Sequence, residues 1–229
     1  SIMFFNFILK QYKETFINEH NTSITSGIVG AVSTLPEYRN NGYFSLLMKH
    51  VMSYIKRKKI YDITMLSGKY ERYNRFGYEY GGCNIRINIP KTNISSSLTM
   101  EKVNKDDISS LSTILDIYNS NKEHAYRTID NIYQYLITWK SVPYVFKDKD
   151  KIIGYACIKD NEIYELGYIN NYLLPIMEAL STVDNYLLIL PGYTNIEEIK
   201  NKYEYKYGNN HLFIILNYQN IAKYLYFED

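Results

Sequence analysis

The chain has 229 residues, 46% hydrophobic and 22% charged, which excludes a disordered chain and leaves room for one large or two small folded domains. A formal net charge of +2 argues against a nucleic-acid partner, and two cysteines with no C-x-x-C pair and no histidine cluster give no metal-ligand pattern. Tyrosine occurs 26 times, as AT-rich coding would produce, so a tyrosine by itself carries little functional weight.

The run IMFFNFIL (Ile2–Leu9) is apolar but far short of the ~20 residues of a membrane span, and it lacks the basic leader of a signal peptide. It reads as a core strand, with no membrane partner and a cytoplasmic location expected. Residues 14–34 read as strand, turn and strand (ETFINE, HNTS, ITSGIVGAVST), the second strand ending at Thr34. A helix is expected from Gly42 to Lys58, because Phe44, Leu47, Met48, Val51 and Ile55 keep the spacing of one helical face. The cations Lys56, Arg57, Lys58 and Lys59 suit the negative end of its dipole and read as a solvated helix end. Tyr61–Leu66 is a strand, a short helical piece covers Tyr73–Phe76, and Tyr78–Ile89 is another strand. Cys83 and Cys157 sit in strand-like apolar runs and read as buried free thiols in a reducing compartment.

PKTNISSS (Pro90–Ser97) is a linker, polar and aperiodic, and divides residues 1–92 from 98–218. Beyond it LTMEKV is a strand, and Asp106 or Asp107 can cap a helix carrying Ile108, Leu111, Leu115 and Tyr118. A second helix is expected over Ile129–Trp139, then a meander of PYVFK, KIIGYACIK and EIYELGYI. NYLLPIMEAL reads as a helix, NYLLIL as a strand, NIEEIKNKY as a helix and HLFIILNY as a strand; residues 219–229 read as the start of a linker to a further domain. This alternation predicts an α/β (α+β) chain of two domains, each a mixed, mostly antiparallel sheet with flanking helices.

One seam stands out. In VSTLPEYRNNGYFSLLMKHV (Val32–Val51) a strand runs through a proline into R-N-N-G and then directly into a helix. Amides of a first helical turn have no partners within the helix, the dipole adds partial positive charge there, and a glycine admits close approach of a phosphate. Arg39 adds a full charge, while Asn40 and Asn41 tolerate a tight turn. Strand, R-x-x-G and helix in that order make a pyrophosphate cradle. On R-x-x-G alone, a merely polar turn is the better reading.

The context decides for the cradle. VSTLPEYRNNGYFSLLM resembles motif A of the Gcn5-related N-acetyltransferase (GNAT) superfamily, in which acetyl-coenzyme A lies along a strand and its pyrophosphate sits on Q/R-x-x-G-x-G/A. Phe44 departs from the last position, but Pro36, Arg39, Gly42, Tyr43 and Phe44 are similar to the P-x-x-R-x-x-G-φ-φ version of the enhanced intracellular survival (Eis) subgroup, φ being apolar. A second segment, YNRFGYE (Tyr73–Glu79), resembles the family's Y-x-R-F-G-Y/F. The resemblance implies that acetyl-coenzyme A is the cosubstrate, without a metal. It implies that amides around Val32 and Thr34 bind its pantetheine arm, and that Arg39, Asn40, Asn41, Gly42, Tyr43 and Phe44 hold its pyrophosphate. Tyr73 is implied as the general acid that protonates the leaving thiolate. Residues 98–218 resemble the degenerate second GNAT-like domain of the same subgroup, with YRTIDNIYQYLITWK supplying Arg127, Thr128 and Trp139 for its R-t/s…W segment. No R-x-x-G seam occurs there, so no coenzyme is expected in that half.

The family places a strand, two helices and two strands before the strand ending at Thr34, whereas only residues 1–26 precede that strand here, so an incomplete first domain is expected. The activity implied is transfer of an acetyl group to a primary amine of a small molecule or peptide by direct attack. Glu37, Glu79 and His50 are the nearby titratable groups by sequence, and a homo-oligomer is the expected assembly. The alternative is an inactive remnant that binds coenzyme A weakly or serves as a structural subunit. A third reading, a peptide or nucleic-acid module built on tyrosine platforms, is opposed by the near-neutral charge.

Overall fold

The structure is a computed structural model that describes residues 13–225 apart from 19, 21, 31 and 122. The strand expected over Ile2–Leu9 lies outside the described residues. In chain order the elements are β1 (Lys13–Ile17), β2 (Ser23–Ile28), α1 (Tyr43–Lys58), β3 (Ile63–Leu66), α2 (Tyr70–Tyr73), β4 (Glu79–Ile89), β5 (Leu98–Lys102) and α3 (Ile108–Asn119). They continue with β6 (His124–Ala125), α4 (Ile132–Leu136), β7 (Val142–Asp148), β8 (Lys151–Lys159), β9 (Glu162–Tyr168), α5 (Leu173–Val183), β10 (Tyr186–Pro191), β11 (Tyr205–Ile215) and α6 (Tyr218–Tyr224). This is the mixed α/β architecture expected, with helices flanking mixed sheets.

The chain forms two compact units. The first comprises residues 1–82, 123–126 and 210–229; the second comprises 83–122 and 127–209. In the first unit the sheet order is β11-β3-β2-β1-β6. β2 and β3 are parallel, with Ser26 opposite Ile63 and Ile28 opposite Met65, while β1 is antiparallel to β2 and β11 to β3. Residues of β2 alternate between the faces, as a pleated strand requires. Val29, just beyond β2, joins the buried side of α1 (Met48, Val51, Met52 and Ile55), whereas Ile24 packs on Ile221 and Tyr224 of α6. The apolar stripe read from the α1 sequence is therefore the stripe that is buried.

In the second unit the order is β5-β7-β8-β9-β10-β4, antiparallel except for the parallel pair β9–β10. The expected meander is present as β7, β8 and β9. α3 begins at its expected cap, where the Asp107 carboxylate accepts from Ser110 N at 3.1 Å. One side of the sheet is closed by α5 through Ile176, Met177 and Leu180; Leu111 and Ile114 of α3 belong to a second cluster with Val145, Tyr155 and Cys157.

Four expectations change. β2 ends at Ile28 rather than Thr34, because β3, its parallel partner, is only four residues long and ends at Leu66. The helix expected over Ile129–Trp139 shrinks to α4 and one 3-10 turn, where Trp139 (φ 61°) and Lys140 (φ 65°) leave helical geometry. There the Ser141 hydroxyl is within 2.7 Å of the carbonyls of Leu136 and Thr138, taking up groups that a longer helix would have paired with amides. The segment 195–203 forms hydrogen-bonded turns rather than a helix. It is held by buried Ile196 and Ile199 and is too short to offset the cost of helix nucleation. Cys157 is buried as expected but Cys83 is exposed: Gly82, at φ 69°, interrupts the alternation of β4 just before it.

Candidate functional site

In the first unit, parallel β2 and β3 are each followed by a helix, α1 and α2. Ligand sites of α/β sheets form beyond the carboxyl ends of such strands. Val29 N donates to Met65 O at 2.9 Å, which continues the ladder one residue past β2. Val32–Leu35 then runs outside regular structure, with Val32 packed partly against the α1 core.

The seam itself is a shaped loop. Pro36–Tyr38 makes one 3-10 turn with proline at its start, where a fixed φ and a missing N–H cost nothing. Arg39 is exposed, and its Nε donates to the Thr34 carbonyl at 3.2 Å. Asn40 (φ 66°) and Gly42 (φ 75°) adopt left-handed backbone, and the Asn41 amide donates to the carbonyls of Arg39 (3.1 Å) and Tyr38 (3.4 Å). Of the two left-handed residues only Asn40 carries a side chain, and asparagine tolerates that conformation best. α1 starts at Tyr43, and Leu46 N bonds Gly42 O at 3.1 Å. No acidic residue stands in the first turn. A Cβ on Gly42 would meet no atom within 4 Å, so the space above this helix start is open. The donor end of a sixteen-residue helix, an exposed guanidinium and an open approach fit an anionic group.

Tyr73 ends α2, and a 3-10 turn, Asn74–Phe76, follows with Gly77 at φ 92°. Its ring lies against Gly68, where any Cβ would collide with it. It meets Phe44 edge-on at 5.7 Å between centroids and Tyr78 at 6.2 Å. Phe44 also meets Phe76 at 5.8 Å, and the Arg75 guanidinium lies over both Phe44 (5.6 Å) and Phe76 (5.0 Å). Burial raises the Tyr73 hydroxyl above the ordinary tyrosine range, and Arg72 offsets part of that. Tyr78 differs. It is fully buried, its hydroxyl is 3.1 Å from Thr64 Oγ1, and burial pushes it up to about 12. Its hydroxyl is committed within the core, whereas Tyr73 is only half-buried.

The structure thus brings Phe44 and Tyr73 into contact and sets Arg39, Asn40, Asn41 and Gly42 in one loop at the start of the same helix. Glu37 and His50 are exposed, His50 lying about two turns along α1 from its start. Two contributors escaped the sequence reading: Gly68, which makes room for the Tyr73 ring, and Tyr70, whose hydroxyl donates to Glu79 at 2.8 Å. Local pattern gives no signal for them, because each acts through a contact outside its own element. Among the described residues no group of three or more His, Cys, Asp or Glu could hold a metal, and no helix is long and apolar enough to cross a membrane.

Residues 14–81 match the family model described as acetyltransferase (GNAT) domain. Curated protein sequences give no significant match. Among solved structures, a probable N-acyltransferase from Enterococcus faecalis V583 is 19% identical with a TM-score of 0.67, covering 92% of this chain and 59% of that one. A GCN5-related N-acetyltransferase from Anabaena variabilis ATCC 29413 is 17% identical, TM-score 0.66, covering 93% and 60%. Eis1 from Mycobacterium abscessus is 15% identical, TM-score 0.56, covering 90% and 60%. The chain spans about 60% of the length of these structures. Residues 14–81, the stretch holding Arg39–Phe44 and Tyr73, thus match the acetyltransferase (GNAT) domain model, and the chain shares the fold of these solved structures.

Proposed function

We propose that the chain is an N-acetyltransferase of the Eis-like kind, moving an acetyl group from acetyl-coenzyme A to a primary amine of a small molecule or peptide. The observation that carries this reading is the Phe44–Tyr73 contact, which joins the anion-binding helix start to a half-buried tyrosine hydroxyl. Acetyl-coenzyme A brings a thioester with a carbonyl open to attack. Arg39 and the amides from Asn40 to Phe44 hold its pyrophosphate, and the backbone at Val32 and Thr34 holds the pantetheine arm and polarises the carbonyl. As the C–N bond forms and the C–S bond breaks, Tyr73 gives its proton to the leaving sulfur; the proton that the attacking nitrogen sheds passes to solvent, from which Tyr73 is reprotonated. The extended reading includes a two-domain division at residues 92 and 98, a cytoplasmic location and self-association.

Calorimetry with acetyl-coenzyme A tests the cradle. Wild type is expected to bind, and Arg39→Ala combined with Gly42→Asp, which removes the cation and places an anion at the helix start, to lose binding at least tenfold. Equal binding by the two proteins removes the assignment.

A further inference from the structure

The proposed transfer leaves one proton without a carrier inside the protein. Tyr73 serves the leaving sulfur, but the attacking nitrogen must also shed a proton. Of the titratable groups named from the sequence, Glu37 and His50 are exposed and Glu79 is engaged by the Tyr70 hydroxyl.

His211, on β11, has a different setting. Leu212 pairs with Leu66, the last residue of β3, and Phe213 pairs with Met65. Continuing that antiparallel register by one step sets His211 across from Ser67, with Cα atoms about 5 Å apart. Gly68 is the next residue, and the Tyr73 ring lies against it. His211 and Tyr73 therefore border the same two residues, Ser67 and Gly68, just beyond the carboxyl end of β3. They do so from opposite faces. Leu212 and Leu66 are buried with Met48 and Ile55 of α1, and Tyr73 packs against that same cluster. Side chains alternate along a strand, so His211 and Phe213 project from the other face. Their rings lie 6.1 Å apart between centroids, and Phe213 fills the place that a Cβ on Gly81 of β4 would need.

The imidazole has one nitrogen unused. His211 Nδ1 is buried and has no hydrogen-bond partner among the described residues, while the residue as a whole keeps partial exposure. A buried N–H without an acceptor is costly, so the resting ring is neutral, with a bare lone pair at Nδ1 and its proton on Nε2. Burial lowers its pKa below the ordinary histidine value, with no charged side chain acting on it. A nucleophile adds across the plane of a thioester, whereas the sulfur lies within that plane, so acid and base are needed on different sides of the carbonyl carbon. Tyr73 on the α1 face and His211 on the other have that arrangement.

We propose that His211 is a second catalytic residue, taking at Nδ1 the proton that the attacking nitrogen sheds and releasing the Nε2 proton to solvent. The inference rests on the acetyltransferase reading and completes its proton path. The N–H bond breaks toward Nδ1 and its electron pair stays on the new amide nitrogen. The C–S pair leaves with the sulfur, which Tyr73 protonates. Amine and thioester become amide and thiol, and both protein groups are restored through solvent.

The test measures acetyl-coenzyme A binding by calorimetry, and thiol release with 1-aminopentane as acceptor, on the full chain as wild type, His211→Asn and His211→Ala. Asparagine keeps a polar group near the Nδ1 position but takes up no proton at neutral pH. Both variants are expected to bind acetyl-coenzyme A within about twofold of wild type and to lose about 100-fold in kcat. Added imidazole is expected to return about tenfold in rate to His211→Ala and nothing to Tyr73→Phe, a rescue that a merely structural histidine does not give. Wild-type turnover in His211→Asn, or a loss in His211→Ala that imidazole leaves untouched, overturns the role. Histidine ¹⁵N spectra of wild type give a readout that needs neither variant to fold: the His211 ring is expected to be neutral at neutral pH and to shift when coenzyme A and 1-aminopentane are added together. A charged ring, or one that does not respond, overturns the role as well. Failure of acetyl-coenzyme A to bind wild type overturns the transfer reading itself, and the calorimetry tells that outcome apart from loss of the His211 role alone.

Discussion

The ring of Phe44 meets the ring of Tyr73 edge-on, with centroids 5.7 Å apart and planes at 76°. Phe44 lies in the first turn of α1 and Tyr73 at the end of α2, so this one contact couples the loop Arg39–Gly42 to the tyrosine hydroxyl. Phe44→Ala removes its contacts with Tyr73, Phe76 and Arg75 together. A loss of about 2 kcal/mol of stability is expected, less than for a fully buried ring, together with weaker acetyl-coenzyme A binding. Phe44→Leu, which keeps apolar volume, is expected to recover most of the stability. Urea unfolding and calorimetry on the two variants check both parts.

Tyr73→Phe keeps the ring against Gly68 and Phe44 and removes only the hydroxyl. Acetyl transfer to a primary amine, followed by thiol release, is expected to fall about 100-fold in kcat, while acetyl-coenzyme A affinity stays within twofold. The raised pKa sets the pH dependence. A tyrosine whose folded value lies above the ordinary ~10 keeps its proton up to that higher value, so wild-type rate is expected to hold through pH 9 and fall only beyond 10. A Tyr73→Phe variant with wild-type turnover refutes the acid role.

Gly42 sits at φ 75° with open space where a Cβ would stand, so Gly42→Ala is opposed by backbone strain and not by crowding. A cost of about 1 kcal/mol is expected, and a smaller one for Gly42→Asn, because asparagine enters left-handed conformation more easily. Chemical denaturation of the two variants measures the difference.

Asp62 ties α6 to the parallel strands. Its carboxylate accepts from Thr25 N (2.8 Å), Thr25 Oγ1 (2.8 Å), Asn217 (3.0 Å) and Asn220 (2.8 Å). Burial works to raise its pKa, but these hydrogen bonds outweigh it and hold the group below the ordinary aspartate value. A depressed folded pKa contributes stability above the unfolded value of ~4, and that contribution is lost as pH falls through the folded value. Asp62→Ala is expected to cost about 3 kcal/mol near pH 7 and to flatten the acid limb of stability below pH 4. The slope that survives belongs in part to Asp107, whose carboxyl is lowered by Ser110. Urea midpoints from pH 2.5 to 7 give the comparison.

In the second unit Arg127 is bidentate to Glu165 at 2.7 and 2.8 Å, its guanidinium lies over Tyr118 (3.7 Å) and Tyr135 (4.8 Å), and Tyr155 donates to the same carboxylate at 2.7 Å. Only 9% of the arginine side chain is exposed. Burial works against its charge, yet the Glu165 carboxylate keeps its pKa raised. Arg127→Ala leaves Glu165 uncompensated and is expected to cost about 3–5 kcal/mol, whereas Arg127→Met combined with Glu165→Leu is expected to recover more than half of that. A double variant as unstable as Arg127→Ala shows that packing on the tyrosines, and not the charge pair, dominates.

Much of this was legible along the chain. The stripe of Met48, Val51 and Ile55, the Asp107 cap and the β7–β9 meander follow from periodicity and turn chemistry, which act over a few residues. So does the placing of Arg39 and Gly42 at a helix start, because a helix exposes its donors wherever it begins. The end of β2 was not legible, since a strand stops where its partner stops, and that partner is β3. Nor was the exposure of Cys83, which follows from one glycine dihedral. The pairing of Leu212 with Leu66, which returns the end of the chain to the first unit, and the meeting of Phe44 with Tyr73 join residues far apart in sequence. The sequence by itself determined most of the helices and strands, though not the turns at 195–203 or the shortness of α4, and it placed Arg39 and Gly42 at a helix start. Tertiary structure decided which tyrosine stands beside that helix start and which carboxylate is tied to its neighbour. Those choices depend on which rings and carboxylates meet across space, and local propensity carries no information about them.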